Sequence, residues 1–285
     1  MRSSSLLLLF FLADVSDVLG GSDFRICAFN LHSFGESKSK NSEVMQTLAR
    51  IITRYDVCLL QEVRDSKGKA LPQLRHHTKI HIIAFLTDSV TVTGQYQYPD
   101  DKPGDVDAFS REPFVVRFKA PKTAIREFTL IPQHTTPSNT TKELDALYDV
   151  LQRVRQMWRT ENVMLLGDFN ADCGYLAKKN RKYVRLLTES NLFWLIPDDV
   201  DTTVRSTTFC SYDRIVVHGE TFHRAIVPSS AKPFNFQENG KAVGADDIPV
   251  EVWKCPGEVA VELLTRLFNK ILGSEKMLVP ILRVF

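Results

Sequence analysis

The chain has 285 residues, 44% of them hydrophobic, enough to bury a sizeable core as one large domain or two small ones. A formal net charge of +2 is only a weak hint of polyanion binding, and any contact with nucleic acid has to come from local placement of Lys and Arg.

Met1 to Gly20 begins with a basic Arg2, runs apolar from Leu6 to Ala13 and ends next to Gly21 and Ser22, the pattern of a cleavable secretory signal. The run is too short to span a bilayer, and no transmembrane segment is expected from it. Secretion permits disulfides, and five cysteines allow two at most. One pair is expected. Cys27 and Cys58 lie in apolar strand-like runs, where a free cysteine behaves as a small hydrophobe, whereas Cys173 and Cys210 lie in loops rich in Asp, Thr and Ser. Asn139 opens an Asn-Thr-Thr sequon that has to be exposed to carry a glycan.

Phe24 to Phe29 reads as a strand ending at Asn30. A polar loop then leads to Asn41 and Ser42, either of which can cap a helix with Met45, Leu48, Ile52 and Tyr55 on its apolar face. Val57 to Leu60 is a second short strand, ending at Gln61 and Glu62. Strand, helix, strand in that order points to a layered α/β core with Asn30 and Glu62 at strand ends. Ile80 to Phe85 has a strand-like core, and the neighbouring His76, His77 and His81 read as solvated, because no cysteine or carboxylate stands at ligand spacing. Val90 to Gln97 is a strand before an acidic loop, Asp100 to Asp107. Phe114 to Phe118 and Ile125 to Ile131 are further strands, and His134 follows the second past Pro132.

Thr140 and Glu143 form a capping box for a helix that turns Leu144, Leu147, Leu151, Val154 and Trp158 to the core. The helix leads into Val163 to Cys173, VMLLGDFNADC. Its four apolar residues make a buried strand, and Gly167 lets the backbone present Asp168 and Asn170 at the strand's C-terminal end. Asp168 can hold a hard cation such as Mg²⁺, and Asn170 can orient a phosphate or a water; the bland alternative is a plain turn, since Gly, Asp and Asn all form turns. Phe193 to Ile196 and Ile215 to His218 are short strands, with Asp213 at the start of the latter and a Thr-rich loop before it. A polar break at Glu238 to Lys241 precedes one amphipathic helix, Ala260 to Leu272, stopped by Gly273, and Gly240 is taken as a domain boundary.

Asn30, Glu62, Asp168 and Asn170 each follow a strand. With His134 and Asp213 they make a set suited to phosphodiester cleavage, which needs a cation to polarise the phosphate and a histidine to pass a proton. At these residues the chain also resembles the deoxyribonuclease I family, closest to its X-type members. CAFNLHSFGE, VCLLQEVRDS, FSREPFVVRF, the HTTP segment, ELDALYDV, LLGDFNADC, LIPDDVDTT and CSYDRIVVHGE stand in the family's order between Phe24 and about Gln237. GDFN is shared with exonuclease III-like repair enzymes and inositol phosphatases of the same superfamily; GDFNADC together with CSYDR is much more specific.

The resemblance implies a four-layer α/β/β/α sandwich and a secreted or endoplasmic-reticulum endonuclease that cuts DNA without sequence specificity, through its backbone and minor groove, using Mg²⁺ and Ca²⁺. Carried over by position, Asn30, Glu62 and Asp168 would form the metal and phosphate site beside Asn170, His134 would be a catalytic acid or base, and Asp213 would orient a second catalytic histidine. Arg111 would contact the DNA backbone. Asp107 and Glu112 would serve one Ca²⁺ site, Asp201, Thr203 and Thr207 a second into which Arg205 brings a positive charge, and Cys173 would pair with Cys210. A monomer is expected, with actin as the protein partner that some members bind.

Two departures stand out. Between Leu74 and Thr87 the family has a longer segment with a Tyr-rich strand and a glutamate partner for the histidine at His134, and here RHHTKIHIIAF takes its place. The loss of a strand is expected to lower stability. At the C-terminus, Asp246 keeps a metal carboxylate of the family's last strand, but Asp247 replaces its histidine. The preferred reading of GKAVGADDIPVEVWKCPGEVAVELLTRLFNKIL is a fragment resembling a non-LTR retrotransposon reverse transcriptase. The expected organisation is a signal at 1–20, a nuclease domain at 21–239 incomplete near 75–86, and a helical tail at 240–285 outside the nuclease core. Either reading removes the second histidine, so the expectation is an impaired endodeoxyribonuclease, with a catalytically inactive DNA- or protein-binding member as the alternative.

Overall fold

Val57, Cys58, Leu59 and Leu60 are apolar in unbroken succession, so the strand they form has to be covered on both faces, and all four are buried. This is β2 (Val57–Val63), the middle strand of a three-stranded sheet in which β1 (Ile26–Phe34) runs parallel to it and β3 (Ile82–Leu86) antiparallel. The computed structural model describes residues 24–233 apart from 43, 46–47, 49–51, 53, 65–81, 87–89, 102, 104–106 and 204–206, with 63 and 82–86 described by backbone alone. The expected signal, His76, His77, His81, Arg205, Asp246 and the tail lie outside those residues.

The second sheet has six strands in the order β4-β5-β6-β7-β9-β8: β4 (Thr91–Gln97), β5 (Phe114–Lys119), β6 (Glu127–Pro132), β7 (Val163–Asp168), β8 (Leu192–Trp194) and β9 (Asp213–His218). Only β6 and β7 are parallel neighbours, and a parallel pair needs a crossover. After the short α1 (Glu36–Ser39), the crossover is α2 (Thr140–Trp158), which buries Leu144, Leu147, Val150, Leu151 and Val154. A 3-10 turn (Lys178–Tyr183) and the short helices α3 (Arg185–Thr188) and α4 (Glu220–Ala225) lie in the later connections.

Alternation along β7 divides the core. Val163 and Leu165 join the cluster beneath α2, while Met164 and Leu166 join the cluster that holds Leu59, Leu60, Met45, Leu48 and Ile52. Residues 42, 44, 45, 48 and 52 are helical, and this helix packs with the small sheet. The layers are therefore helix, small sheet, large sheet, helix, the expected α/β/β/α sandwich. Asn41 rather than Ser42 is the cap seen, its Oδ1 accepting the Val44 amide at 3.2 Å.

Two local expectations need correction. β1 does not stop at Asn30 but runs to Phe34, because His32 and Ser33 adopt left-handed backbone (φ 46° and 61°) and the pairing with β2 slips between Asn30 and Phe34. Glu143 does not close a capping box on Thr140. The helix starts at Thr140, so Asn139 is its N-cap and Glu143 sits one position too far in; its carboxylate instead accepts the Thr136 amide at 3.2 Å and Gln133 Nε2 at 3.3 Å.

Candidate active site

The two sheets meet at the ends of β2 and β7, where the Gln61 side chain makes two hydrogen bonds across the seam. Gln61, almost fully buried, donates through Nε2 to the Gln133 carbonyl at 3.0 Å and accepts the Asp168 amide on Oε1 at 3.1 Å. Gly167 makes room for it: a Cβ there would lie 2.4 Å from both the Gln133 oxygen and Gln61 Nε2. Alternation would send the next residue, Glu62, to the opposite face. Its φ of 70° breaks the alternation, and Glu62 reaches the seam as well.

There Asn30 Nδ2 donates to Asp168 Oδ2 at 3.2 Å and approaches Glu62 Oε1 at 3.5 Å, while Asn30 Oδ1 accepts the His32 amide at 2.8 Å. Ser33 donates to the other Glu62 oxygen at 3.1 Å. His134 Nε2 is 3.6 Å from Asp168 Oδ2, and both side chains are mostly covered. Burial, reinforced by the nearby Arg111 guanidinium, lowers the His134 pKa against the opposing pull of Asp168 and Glu62, which keeps the ring neutral at pH 7. Asp168 divides its oxygens: Oδ2 faces Asn30 and His134, while Oδ1 accepts the Asn170 amide at 3.3 Å. GDFN is thus a turn, and the turn aims the Asp168 carboxylate at Asn30 and His134.

The loop carrying His134 is stapled on both sides. Asn170, buried with φ 48°, donates Nδ2 to the Thr135 carbonyl at 2.9 Å, and Thr135 donates its hydroxyl to the Phe169 carbonyl at 2.7 Å. Arg111 NH1 donates to the His134 carbonyl at 2.8 Å, and Gln133 Nε2 donates to the Arg111 carbonyl at 3.1 Å. Gln61, Gln133 and Glu143 do not stand out in the sequence as site residues. A polar residue inside an apolar strand, as in LLQEV, is the signal that marks Gln61.

Asp213 is the register partner of Asp168 across β7 and β9. Burial first, and then the Asp168 charge, push its carboxyl up to about 8. Among the described residues it bonds to Thr202, whose hydroxyl accepts the Asp213 amide at 3.0 Å, and to no histidine. In the acidic loop, Asp100 accepts the Ala108 and Phe109 amides at 3.1 and 2.8 Å, leaving Asp107 and Glu112 exposed. Asp201 Oδ1 takes the Thr203 amide and hydroxyl at 2.9 and 2.7 Å; Thr207 is exposed. Cys173 and Cys210 form a disulfide. Behind it, buried Arg214 donates to the Ser211 and Ile196 carbonyls at 2.8 and 2.7 Å and pairs with Asp198 at 2.6 Å, an anchor unnoticed in the sequence. Asn139 is half-buried, and the nitrogen that would carry a glycan donates to the Ala108 carbonyl at 3.3 Å.

Two carboxylates on one amide donor, from two different sheets, form a donor set suited to a hard cation, with a neutral imidazole beside it. Among the described residues no helix is long and apolar enough to cross a membrane. Residues 27–233 match the endonuclease/exonuclease/phosphatase family. The chain is 43% identical over 256 residues to deoxyribonuclease gamma of Rattus norvegicus, covering 81% of each, and 42% identical over 257 residues to deoxyribonuclease-1 of Sus scrofa, covering 80% of this chain and 90% of that one. It is also 42% identical over 282 residues to deoxyribonuclease-1 of Oryctolagus cuniculus, covering 88% and 99%. Since 81% of 285 residues is about 231, about 25 of the 256 positions matched to the rat protein have no residue of this chain opposite them. With this fold, this seam and these relatives, the chain belongs to the deoxyribonuclease I family of phosphodiester-hydrolysing nucleases.

Proposed function

We propose that the chain is a secreted or endoplasmic-reticulum endodeoxyribonuclease that requires a divalent metal and whose cleavage is impaired. The observation that carries this reading is the convergence of Glu62 and Asp168 on the Asn30 amide, with His134 3.6 Å from Asp168. Mg²⁺ takes one or two protein carboxylates and otherwise water and phosphate oxygens, so Glu62 and Asp168 would hold it, and it would supply polarisation of the phosphodiester. His134, neutral at pH 7, takes or delivers a proton at Nε2, and the Thr135, Asn170 and Arg111 bonds hold its loop in place. Arg111 adds a positive charge on the same side for the DNA backbone, which is contacted without reading sequence. Asp107 with Glu112, and Asp201 with Thr203 and Thr207, are the proposed Ca²⁺ positions.

The proposed domain is 21–239, short of a segment near 75–86, with a signal at 1–20 and a reverse-transcriptase-like tail at 240–285. The relatives' extra matched positions support the missing segment. Asp213, which would orient a second histidine, has none beside it among the described residues, and Asp247 stands where the family's last strand would bring one. A single general acid or base contributes about 10²- to 10⁴-fold in rate, and residues acting as a unit lose most of it together.

The test is Mg²⁺- and Ca²⁺-dependent nicking of supercoiled plasmid by the purified full chain, with a chelator control and a gel shift for binding. Nicking just above background, abolished by chelation and accompanied by a retained shift, is the expected result. Robust nicking abolished by His134→Ala would overturn the impairment. The missing second histidine also favours a catalytically inactive binding member, and a retained shift with no metal-dependent nicking at all would select that second reading.

A further inference from the structure

Cys27 on β1 stands directly opposite Cys58 on β2, and their sulfur atoms are 2.6 Å apart. Both are free thiols. Neighbouring strands lie about 4.8 Å apart, inside the Cα separation of about 4.4–6.8 Å that a disulfide bridges, and register partners carry their side chains on the same face. Cys58 is buried and Cys27 half-buried, so Cys27 is the more exposed residue of the pair. Alternation along β2 places Cys58 on the face opposite Gln61, away from the seam, and phosphodiester chemistry uses neither sulfur. The pair nonetheless stands on the site's own strands, three residues before Asn30 and four before Glu62.

We propose that Cys27 and Cys58 are a cross-strand dithiol that a small disulfide of the glutathione class oxidises to a second disulfide bond, tying together the two strands that carry Asn30 and Glu62. The Cys27 thiolate attacks one sulfur of the oxidised glutathione, forming a mixed disulfide and releasing one glutathione thiolate. The Cys58 sulfur, after losing its proton, attacks Cys27 Sγ, which forms the Cys27–Cys58 bond and releases the second glutathione. Two electrons reduce the external disulfide, and the two cysteine protons leave on the two glutathiones. Burial pushes the Cys27 thiol well up, so its thiolate is scarce at neutral pH and closure accelerates as pH rises. The sequence reading of these two residues as small hydrophobes describes only the reduced state.

The test uses the purified full chain incubated with oxidised or reduced glutathione, blocked with N-ethylmaleimide in denaturant and mapped as non-reduced peptides. After oxidised glutathione, a linked peptide pair joining Cys27 and Cys58 is expected, alongside the Cys173–Cys210 pair that reports the fold; after reduced glutathione, both Cys27 and Cys58 carry maleimide. In Cys58→Ser, Cys27 retains glutathione, because nothing resolves the mixed disulfide. Maleimide on both residues after oxidised glutathione, with Cys173–Cys210 formed, would overturn the proposal and leave two packing thiols. So would Cys27 linked to Cys255, or equal glutathione on Cys27 in the wild type and Cys58→Ser.

Discussion

Gly167→Ala strikes the bond that joins the two sheets. Gly167 has φ +132°, and an added methyl would lie 2.4 Å from the Gln133 oxygen and 2.4 Å from Gln61 Nε2, the two ends of a single 3.0 Å hydrogen bond. The carbonyl is backbone and cannot swing away, so Gln61 must. That leaves the Gln133 carbonyl and the Asp168 amide without their partner. A non-glycine residue in such a conformation costs about 1–3 kcal/mol, and each buried polar group left unsatisfied costs about 1–3 kcal/mol. Together these put Gly167→Ala at about 3–9 kcal/mol, against a total stability of roughly 5–15 kcal/mol for a native domain. At roughly 2–4 °C per kcal/mol the melting temperature falls by at least about 6 °C. The assay is thermal and urea unfolding followed by far-UV circular dichroism, in the wild type, Gly167→Ala, Gln61→Ala and the double variant. With Gln61 already shortened, one of the two obstacles is gone, so the alanine's added cost shrinks by about 1 kcal/mol or more. A melting temperature within about 2 °C of the wild type would refute the reasoning, and so would strict additivity in the double variant.

Three further outcomes follow from the same geometry. Asp213 titrates near 8 in the folded state against 3.8 ordinarily; between those values the folded chain keeps a proton that the unfolded chain has lost, so stability falls as pH rises, by up to about 1.4 kcal/mol per pH unit. Asp213→Asn flattens that slope in urea midpoints measured with chelator present, and parallel slopes would count against it. Arg214→Met strands the Ser211 and Ile196 carbonyls, at about 2–6 kcal/mol for two buried acceptors in the same unfolding assay, while Asp198 keeps Arg181 as a partner; Arg214→Lys recovers little because a point charge cannot span three acceptors. Mg²⁺ at about 100 times its dissociation constant raises stability by about 2.7 kcal/mol; Glu62→Gln and Asp168→Asn each remove the rise, and an undiminished rise in both would refute the shared cation.

Elements whose burial needs no knowledge of a neighbour are legible in the sequence. Val163 to Leu166 reads as a buried strand because every residue in it is apolar, and it is β7; Leu144, Leu147, Leu151 and Val154 read as one helix face, and all are buried in α2. What depends on register is not legible. Nothing local says that Cys27 meets Cys58, since a slip of one residue would turn the two side chains to opposite faces. The left-handed backbone at His32, Ser33 and Glu62 carries no glycine to announce it. Asn30, Glu62, His134 and Asp168 are visible as polar residues closing apolar runs, but their meeting depends on Gln61, which reads as one more residue at the end of a strand.

The placement of the site explains why its chemistry and its fold are hard to separate. Asn30 and Glu62 belong to the small sheet, Asp168 to the large one and His134 to the loop after β6, so no single sheet contains the constellation. Among the described residues three hydrogen bonds cross the seam: Gln61 to Gln133, the Asp168 amide to Gln61, and Asn30 to Asp168. If the sheets part by a single hydrogen-bond length, Glu62 and Asp168 no longer share a donor, although the six strands of the large sheet and α2 can remain paired. The proposed cation affinity is therefore expected to be the first property to go when the small sheet is weakened, ahead of secondary structure. The linkage also runs the other way. The proposed cation, held by Glu62 and Asp168, would cross-link the sheets and so stabilise the docking that creates its site.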